Sequence, residues 1–328
     1  MSTKKEVIAL AFSDLHISDW AKFNKDNQRT LNHFKVLSIL REICLRKRVP
    51  LLFCGDLLHK PESITQGLLG TLQEQFRELN SDSKFKCYAV SGNHDQSNIS
   101  LISTPSPSWI NIFSEQYNWL NCLDFKTERV ALGFYNIEIH GIPYIDHNKG
   151  LNEYLRELPL DSACKHILLL HTDYPGAKDC DGRVVDSVEN LNINILSKRF
   201  DLVLCGHIHK PQRLGKKVYM IGAPLQQMRT DKNNELGYWE IYKDLTLKFV
   251  PLEDFPKFID VESEDEIKDD GNYYTVLPKK ASIEVNTKHK ITKRLSKKVL
   301  AKRYLKEKGI KDKVKQNLLI NVLKKSEV

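Results

Sequence analysis

The stretch that decides the fold is VIALAFSDLH, residues 7–16. Six apolar residues stop abruptly at Ser13-Asp14-Leu15-His16, which reads as a buried strand delivering its last residues to a polar loop. The same device recurs along the chain. Residues 50–54 run into Gly55-Asp56, 86–90 into Gly92-Asn93-His94-Asp95, 166–170 into His171, and 201–205 into Gly206-His207-Ile208-His209. Residues 136–142 form a further apolar run. Between the first two runs, residues 27–48 place Leu31, Phe34, Leu37, Leu40 and Leu45 near helical spacing. That predicts an amphipathic crossover helix and so a β-α-β unit. Residues 217–221, 238–242 and 246–250 are strand candidates with little helix between them, which predicts more antiparallel pairing in the second half. The pattern as a whole predicts an α/β fold of two facing mixed β-sheets flanked by helices.

Composition bounds what else the chain can be. At 328 residues and 41% hydrophobic content it can bury one large core with a small second domain besides. Seven cysteines occur singly, with no C-x-x-C pair, and read as reduced core thiols. The start, Met-Ser-Thr-Lys-Lys followed by a short strand-like run, lacks the features of a secretory signal. No run approaches the ~20 apolar residues of a membrane span. A cytoplasmic protein is expected, in the host cytoplasm if the gene is a phage's. The net charge of +8 is unevenly spread: residues 279–328 hold 17 Lys+Arg against 4 Asp+Glu, a net +13, which leaves the body at −5. A polyanion or an acidic partner would therefore meet the tail. Three segments are expected: a catalytic domain over 1–255, an acidic linker with a short strand at Tyr273–Val276 over 256–278, and a basic tail over 279–328. In the tail, Leu295, Val299, Leu300, Tyr304 and Leu305, then Val314, Leu318, Leu319, Val322 and Leu323, form two apolar stripes around Gly309. These predict a small helical C-terminal hairpin.

The polar clusters carry the chemistry. In a parallel sheet the C-terminal strand ends form one rim, so the five clusters could converge on one site. Taken singly each has a plain explanation, since a strand-end Asp is often a helix N-cap and His171 alone is an ordinary loop histidine. Their combination mixes carboxylate, amide and imidazole without thiolates, a set suited to Mn(II), Fe(II) or Zn(II) and unlike a structural zinc site. Asp14, His16, Asp56, Asn93, His171, His207 and His209 are too many for one tetrahedral ion but suit two ions sharing a carboxylate.

In order, D-x-H, GD, GNHD, an isolated His and GHxH resemble the motifs of the calcineurin-like metallophosphoesterases over residues 7 to about 250. The resemblance implies that Asp14, His16, Asp56 and His209 hold one ion and that Asp56, Asn93, His171 and His207 hold the other. It implies further that Asp56 bridges, that water activated between the ions attacks phosphorus, that His94 stabilises or protonates the departing oxygen, and that Asp95 orients His94. Two divalent ions are implied, Mn2+ first, with Fe2+, Zn2+ and Mg2+ as alternatives.

Within the superfamily the chain is most similar to SbcD-type DNA repair nucleases. His59 in GDLLH matches a histidine that lies beside their metal site. The segment from Tyr219 through Ala223-Pro224-Leu225-Gln226, followed by Gly237-Tyr238-Trp239 and Phe249-Val250-Pro251-Leu252, is similar to theirs after GHxH, and the tail resembles the helices that grip an SbcC-type coiled-coil ATPase. The resemblance implies a DNA exo/endonuclease with DNA and an SbcC-like ATPase as partners, the latter through residues 295–325, and a homodimer as a further association. About 70 residues follow Pro256, fewer than the family's usual cap, so phosphate contacts by the basic tail would stand in for one. Two alternatives stay open: a phosphatase for small phosphoesters or phosphoproteins, and a scaffold that binds an ATPase through the tail. His33, His140, His147, His166 and His289 belong to no motif and are expected at the surface or in packing, with His140 within reach of the site rim.

Overall fold

The structure, a computed structural model, describes residues 5–20, 24–132, 135–186, 188–189 and 191–277. The tail expected over 279–328 therefore lies outside the described residues, as does His289. Thirteen strand and helix segments build the first part of the chain and its crossovers. In order these are β1 (Val7–Phe12), α1 (Gln28–Lys47), β2 (Leu51–Phe53), α2 (Gln66–Leu79), β3 (Cys87–Ala89), α3 (Trp109–Gln116), β4 (Leu120–Cys122), β5 (Thr127–Leu132), β6 (Tyr135–Ile142), α4 (Leu151–Glu157), β7 (Lys165–His171), α5 (Ile193–Arg199) and β8 (Leu202–Gly206). The strands β9 (Gln212–Arg213), β10 (Val218–Met220), β11 (Gly237–Tyr242), β12 (Leu247–Pro251), β13 (Phe258–Val261) and β14 (Tyr273–Val276) follow.

Among the described residues these strands make two six-stranded sheets, ordered β12-β11-β1-β2-β3-β4 and β5-β6-β7-β8-β10-β9. Both are mixed. In the first, β1 to β4 run parallel and β11 and β12 antiparallel. In the second, β6, β7, β8 and β10 run parallel, with β5 and β9 antiparallel at the edges. The antiparallel pairing expected late in the chain holds for β11 and β12, while β10 pairs antiparallel with β9 and parallel with β8.

Period-2 alternation sorts the side chains into three layers of core. Leu10, Phe12, Leu51 and Phe53 point outward onto Phe34, Leu37, Leu40, Leu72 and Phe76 of the α1–α2 layer. Ala9, Ala11, Leu52 and Cys54 face Ile137, Ile139, Ile167, Leu169 and Leu204 between the sheets. Leu168, Leu170, Val203 and Cys205 pack beneath Leu151, Leu155, Leu196 and Phe200 of α4 and α5. The result is helix, sheet, sheet, helix, as the sequence predicts. Truncating a residue such as the fully buried Leu169 to Ala should cost about 2–5 kcal/mol.

Helix α1 departs from the expected apolar face at one point. Leu31 is 45% exposed, while Thr30 and His33 turn inward. At 100° per residue, Thr30 and His33 fall on the stripe of Leu37 and Cys44, and Leu31 does not. The Thr30 hydroxyl and His33 Nε2 find partners there, while His33 Nδ1 is buried with none among the described residues. The Thr30 hydroxyl donates to the Ser18 carbonyl at 2.7 Å, and His33 Nε2 lies 3.4 Å from Gln227 Oε1.

The acidic stretch expected as a linker has structure of its own. Strands β13 and β14 pair in parallel, and the ribbon is tied back by Arg229 and Lys232, which both bond Asp260, and by the Phe258 amide, which donates to Gln226 Oε1 at 2.6 Å. The seven cysteines are all free and six are buried. No described helix is long and apolar enough to cross a membrane.

Candidate metal centre

Five strands end on one rim, β1, β2 and β3 from one sheet and β7 and β8 from the other, and each delivers its polar cluster there. The backbone at the rim is unusual. Asp14 (φ 53°), His16 (50°), Asp56 (61°) and His207 (95°) all take left-handed conformations, which for residues other than glycine cost ~1–3 kcal/mol each and gather at functional sites. Two glycines make the close approach feasible. A Cβ at Gly92 would overlap the Asp56 carboxylate, and one at Gly206 would overlap the Cys54 carbonyl and the Ser13 hydroxyl.

The structure brings the seven expected ligands together in two overlapping groups. Asp14, His16 and His209 have donor atoms within 4.8 Å of one another, and so do Asp56, His171 and His207. His16 Nε2 stands 3.2 Å from His209 Nε2. Asn93 Oδ1 stands 3.2 Å from His171 Nε2 and 3.1 Å from His207 Nδ1. Asp56 lies between the groups, its Oδ2 3.6 Å from His16 Nε2 and 3.4 Å from His171 Nε2. Donors bound at about 2.1 Å to one ion stand ~3.0–3.4 Å apart, so all of these separations but the one between Asp56 and His16 match the edges of coordination polyhedra.

Partners behind the ligands set their tautomers. His171 Nδ1 donates to the Cys54 carbonyl at 2.6 Å, which leaves Nε2 to face Asp56 and Asn93. His209 Nδ1 lies 3.1 Å from Asp231 Oδ2. Asp14 accepts the His207 amide at 3.1 Å, and Gln227 Nε2 donates to the Asp14 and Leu15 carbonyls at 3.2 and 2.9 Å. His16 Nδ1 is buried with no partner among the described residues. Asp231 and Gln227 are the working residues that sequence reasoning misses. Both sit in Gln226-Gln227-Met228-Arg229-Thr230-Asp231, just after the segment that resembles the nucleases, and position was the only available signal.

The electrostatics call for positive charge at the rim. Burial lowers the His171 imidazole, but the Asp56 charge and hydrogen bond more than offset this and lift it to about 9. Burial likewise opposes the Asp56 anion, yet His171 and then His16 hold its carboxyl far below the usual range. His209 is raised by Asp231 and Asp14 against its burial. His16 is lowered by burial and by its histidine neighbours, which keeps it neutral and able to ligate.

His94 and His59 sit at the open side of the rim. His94 Nδ1 donates to the His59 carbonyl at 2.6 Å, and its ring meets that of His16 edge-on at 4.8 Å. The His59 ring contacts the half-exposed Trp20 ring at 4.0 Å, and burial followed by His94 lowers it to about 4. Asp95 departs from its expected role. Its carboxylate is spent on four backbone amides, those of Asp56 (2.8 Å), Leu57 (2.8 Å), Leu58 (3.1 Å) and Gly92 (2.9 Å), and it makes no bond to the His94 ring. Asp95 therefore shapes the loop that carries Asp56, while the His59 carbonyl orients His94. His140, expected at the surface or in packing with the rim as the lesser alternative, is buried and bonds Thr127 and His166.

The chain is 21% identical over 290 residues to the SbcD component of the SbcCD nuclease of Staphylococcus epidermidis, an overlap of 79% of this chain and 77% of that one. Among solved structures it is similar to TT1561 of Thermus thermophilus, with TM-score 0.43 and 12% identity over 76% of this chain and 99% of that one. It is also similar to a putative 5′-nucleotidase from Staphylococcus aureus, with TM-score 0.42 and 16% identity over 74% and 52%. The calcineurin-like phosphoesterase profile matches residues 9–211, a span that holds every rim cluster just described. With its two mixed sheets and its histidine and aspartate groups at their common rim, the chain belongs to the calcineurin-like phosphoesterases, metal-dependent hydrolases of phosphoester bonds.

Proposed function

We propose that this protein is a two-metal phosphodiesterase that cuts DNA, the nuclease subunit of an SbcCD-like complex. The observation that carries the two-metal reading is the place of Asp56, one of whose oxygens faces imidazoles of both groups. In this reading Asp14, His16, Asp56 and His209 hold one divalent ion, and Asp56, Asn93, His171 and His207 hold the other. The donor set fits such ions, being hard to borderline, free of thiolates and spaced like coordination edges, with Mn2+ the favoured identity. When bound, the ions supply an activated water and a Lewis acid for the phosphoryl oxygens.

The chain's own groups do the rest. Cys54 and Asp231 hold His171 and His209 in the ligating tautomer, and Asp95 with its four amides holds the loop that aims Asp56. The His59 carbonyl occupies His94 Nδ1, so a proton for the departing oxygen comes from His94 Nε2. Trp20 and His59 offer ring faces at the edge of the site, a surface on which a base can stack.

DNA as substrate, and an SbcC-like ATPase gripped through residues 295–325, rest on the likeness to the staphylococcal SbcD protein and on the basic tail. The test incubates full-length protein and Mn2+ with end-labelled duplex and single-stranded DNA, beside a phosphomonoester control. Cleavage of DNA with weak phosphomonoester hydrolysis supports the proposal. Rapid phosphomonoester hydrolysis with intact DNA overturns it in favour of a phosphatase.

A further inference from the structure

A second group of metal-ligating side chains lies away from the rim, on the outer face of the second sheet. Glu138 and His140 alternate with Ile137 and Ile139 along β6. The two isoleucines enter the core between the sheets, so the glutamate and histidine face the α4–α5 side. His166, the second residue of β7, lies directly beside them, since Glu138 pairs with His166 across the parallel ladder. All three are buried, at 7%, 1% and 6% exposure. His166 precedes the rim residue His171 by five positions on the same strand, which puts roughly 16 Å between the two sites.

Three donor atoms converge here. His140 Nε2 is 3.1 Å from His166 Nδ1, His166 Nδ1 is 3.4 Å from Glu138 Oε2, and His140 Nε2 is 3.9 Å from Glu138 Oε2. A tetrahedral zinc ion with bonds of about 2.0–2.1 Å sets its donors ~3.3–3.4 Å apart, and the three separations bracket that value. The far side of every donor is also engaged. His140 Nδ1 bonds the Thr127 hydroxyl at 2.8 Å, His166 Nε2 bonds the Asp161 carbonyl at 3.1 Å, and Arg129 bonds Glu138 Oε1 at 2.6 Å. Such outer bonds select the ring nitrogens that point inward and stiffen the ligands.

A hydrogen bond from one imidazole to the other would explain the shortest distance alone. Glu138 Oε2 accepts a long bond from the Asp161 amide, at 3.5 Å, and faces the same pair of imidazoles. The geometry points to a zinc-binding site formed by Glu138, His140 and His166, with a water completing the tetrahedron, that joins β6 to β7.

The test strips full-length protein with a chelator, loads it with excess Co2+, desalts it, and measures bound cobalt and visible absorption. Wild type should carry one equivalent per chain more than the His140→Gln/His166→Gln variant, together with the intense absorption of tetrahedral Co2+. The variant should lose that absorption and keep its phosphodiesterase rate. Equal cobalt content in the two proteins, or a wild type without tetrahedral absorption, overturns the site. Should the double variant fail to fold, Glu138→Gln provides the check, because it preserves shape and an acceptor for Arg129 but weakens the ligand. It should bind the extra equivalent at least ~10-fold more weakly, and unchanged binding overturns the proposal. Because the readout is a difference in metal content, it stands whatever the rim proves to cleave.

Discussion

Two regions of this molecule gather histidines and carboxylates, and they do so by opposite means. At the rim the groups arrive on loops whose backbone is left-handed at Asp14, His16, Asp56 and His207, with glycines removing the atoms that would obstruct them. On the outer face of the second sheet, Glu138, His140 and His166 stand on regular strands with ordinary backbone. Strain is tolerated where geometry must serve a reaction, whereas a site that only holds a fold together can be built from a plain β ladder. Changes at the rim should therefore remove activity and leave the fold, and changes at the strand cluster should lower stability and leave the activity of the folded protein.

The largest expected effect is at Asp56. Asp56→Ala should lower turnover by at least ~10³-fold and loosen both rim ions together, since one carboxylate serves two groups of ligands. Elemental analysis beside a rate measurement checks this, and two tightly held ions in the variant would break the bridging assignment. Next is His94, where His94→Gln should lose ~10²-fold in turnover while the rim metal content is unchanged. Near-normal turnover would leave His94 without a part in the chemistry. Asp231→Asn should weaken rim metal affinity by ~10–100-fold without unfolding the chain, because it loosens the hold on His209 Nδ1. Titration of the stripped protein with Mn2+ measures it.

The smallest effect is one of pH, and it belongs to the strand cluster. His140 is held at about 4 against an ordinary 6.5, first by burial and then by His166, while Glu138 pulls the other way. The unfolded chain takes up this proton near 6.5 and the folded chain only near 4. Stability from this group is therefore full above about pH 6.5 and is lost as the pH falls toward about 4. Thermal melts in chelator should show the acid loss in wild type and a flatter limb in His140→Gln. Identical limbs would mean that His140 does not carry the dependence.

How much of this is legible in the sequence follows the same division. Strands β1, β7 and β8 are continuous apolar runs ending in polar clusters, and that pattern marks both a buried strand and the residues it delivers. Strand β4 has three residues and β5 exposes most of its length, so neither produces a run that stands out from a loop. Thr30 and His33 turn inward, where Ser18 takes the Thr30 hydroxyl and Gln227 meets His33 Nε2, a compensation no local pattern reveals. The rim residues are readable because each of their clusters closes or follows a strand. Asp231 is not, since an aspartate among arginine, threonine and lysine looks like any surface turn until His209 is seen against it. Asp95 misleads for a related reason: adjacency in GNHD suggests His94 as its partner, while the folded loop offers it four amides. Glu138, His140 and His166 read as strand residues, but partnership across β6 and β7 depends on register, which a single strand does not disclose.

The two-metal claim is tested most directly by anomalous diffraction from crystals of the full chain grown with Mn2+. Two peaks ~3.5–4 Å apart are expected at the rim, with the Asp56 carboxylate between them and Asn93 and His209 on opposite flanks. A single rim peak, or a second peak with no contact to Asp56, would contradict it.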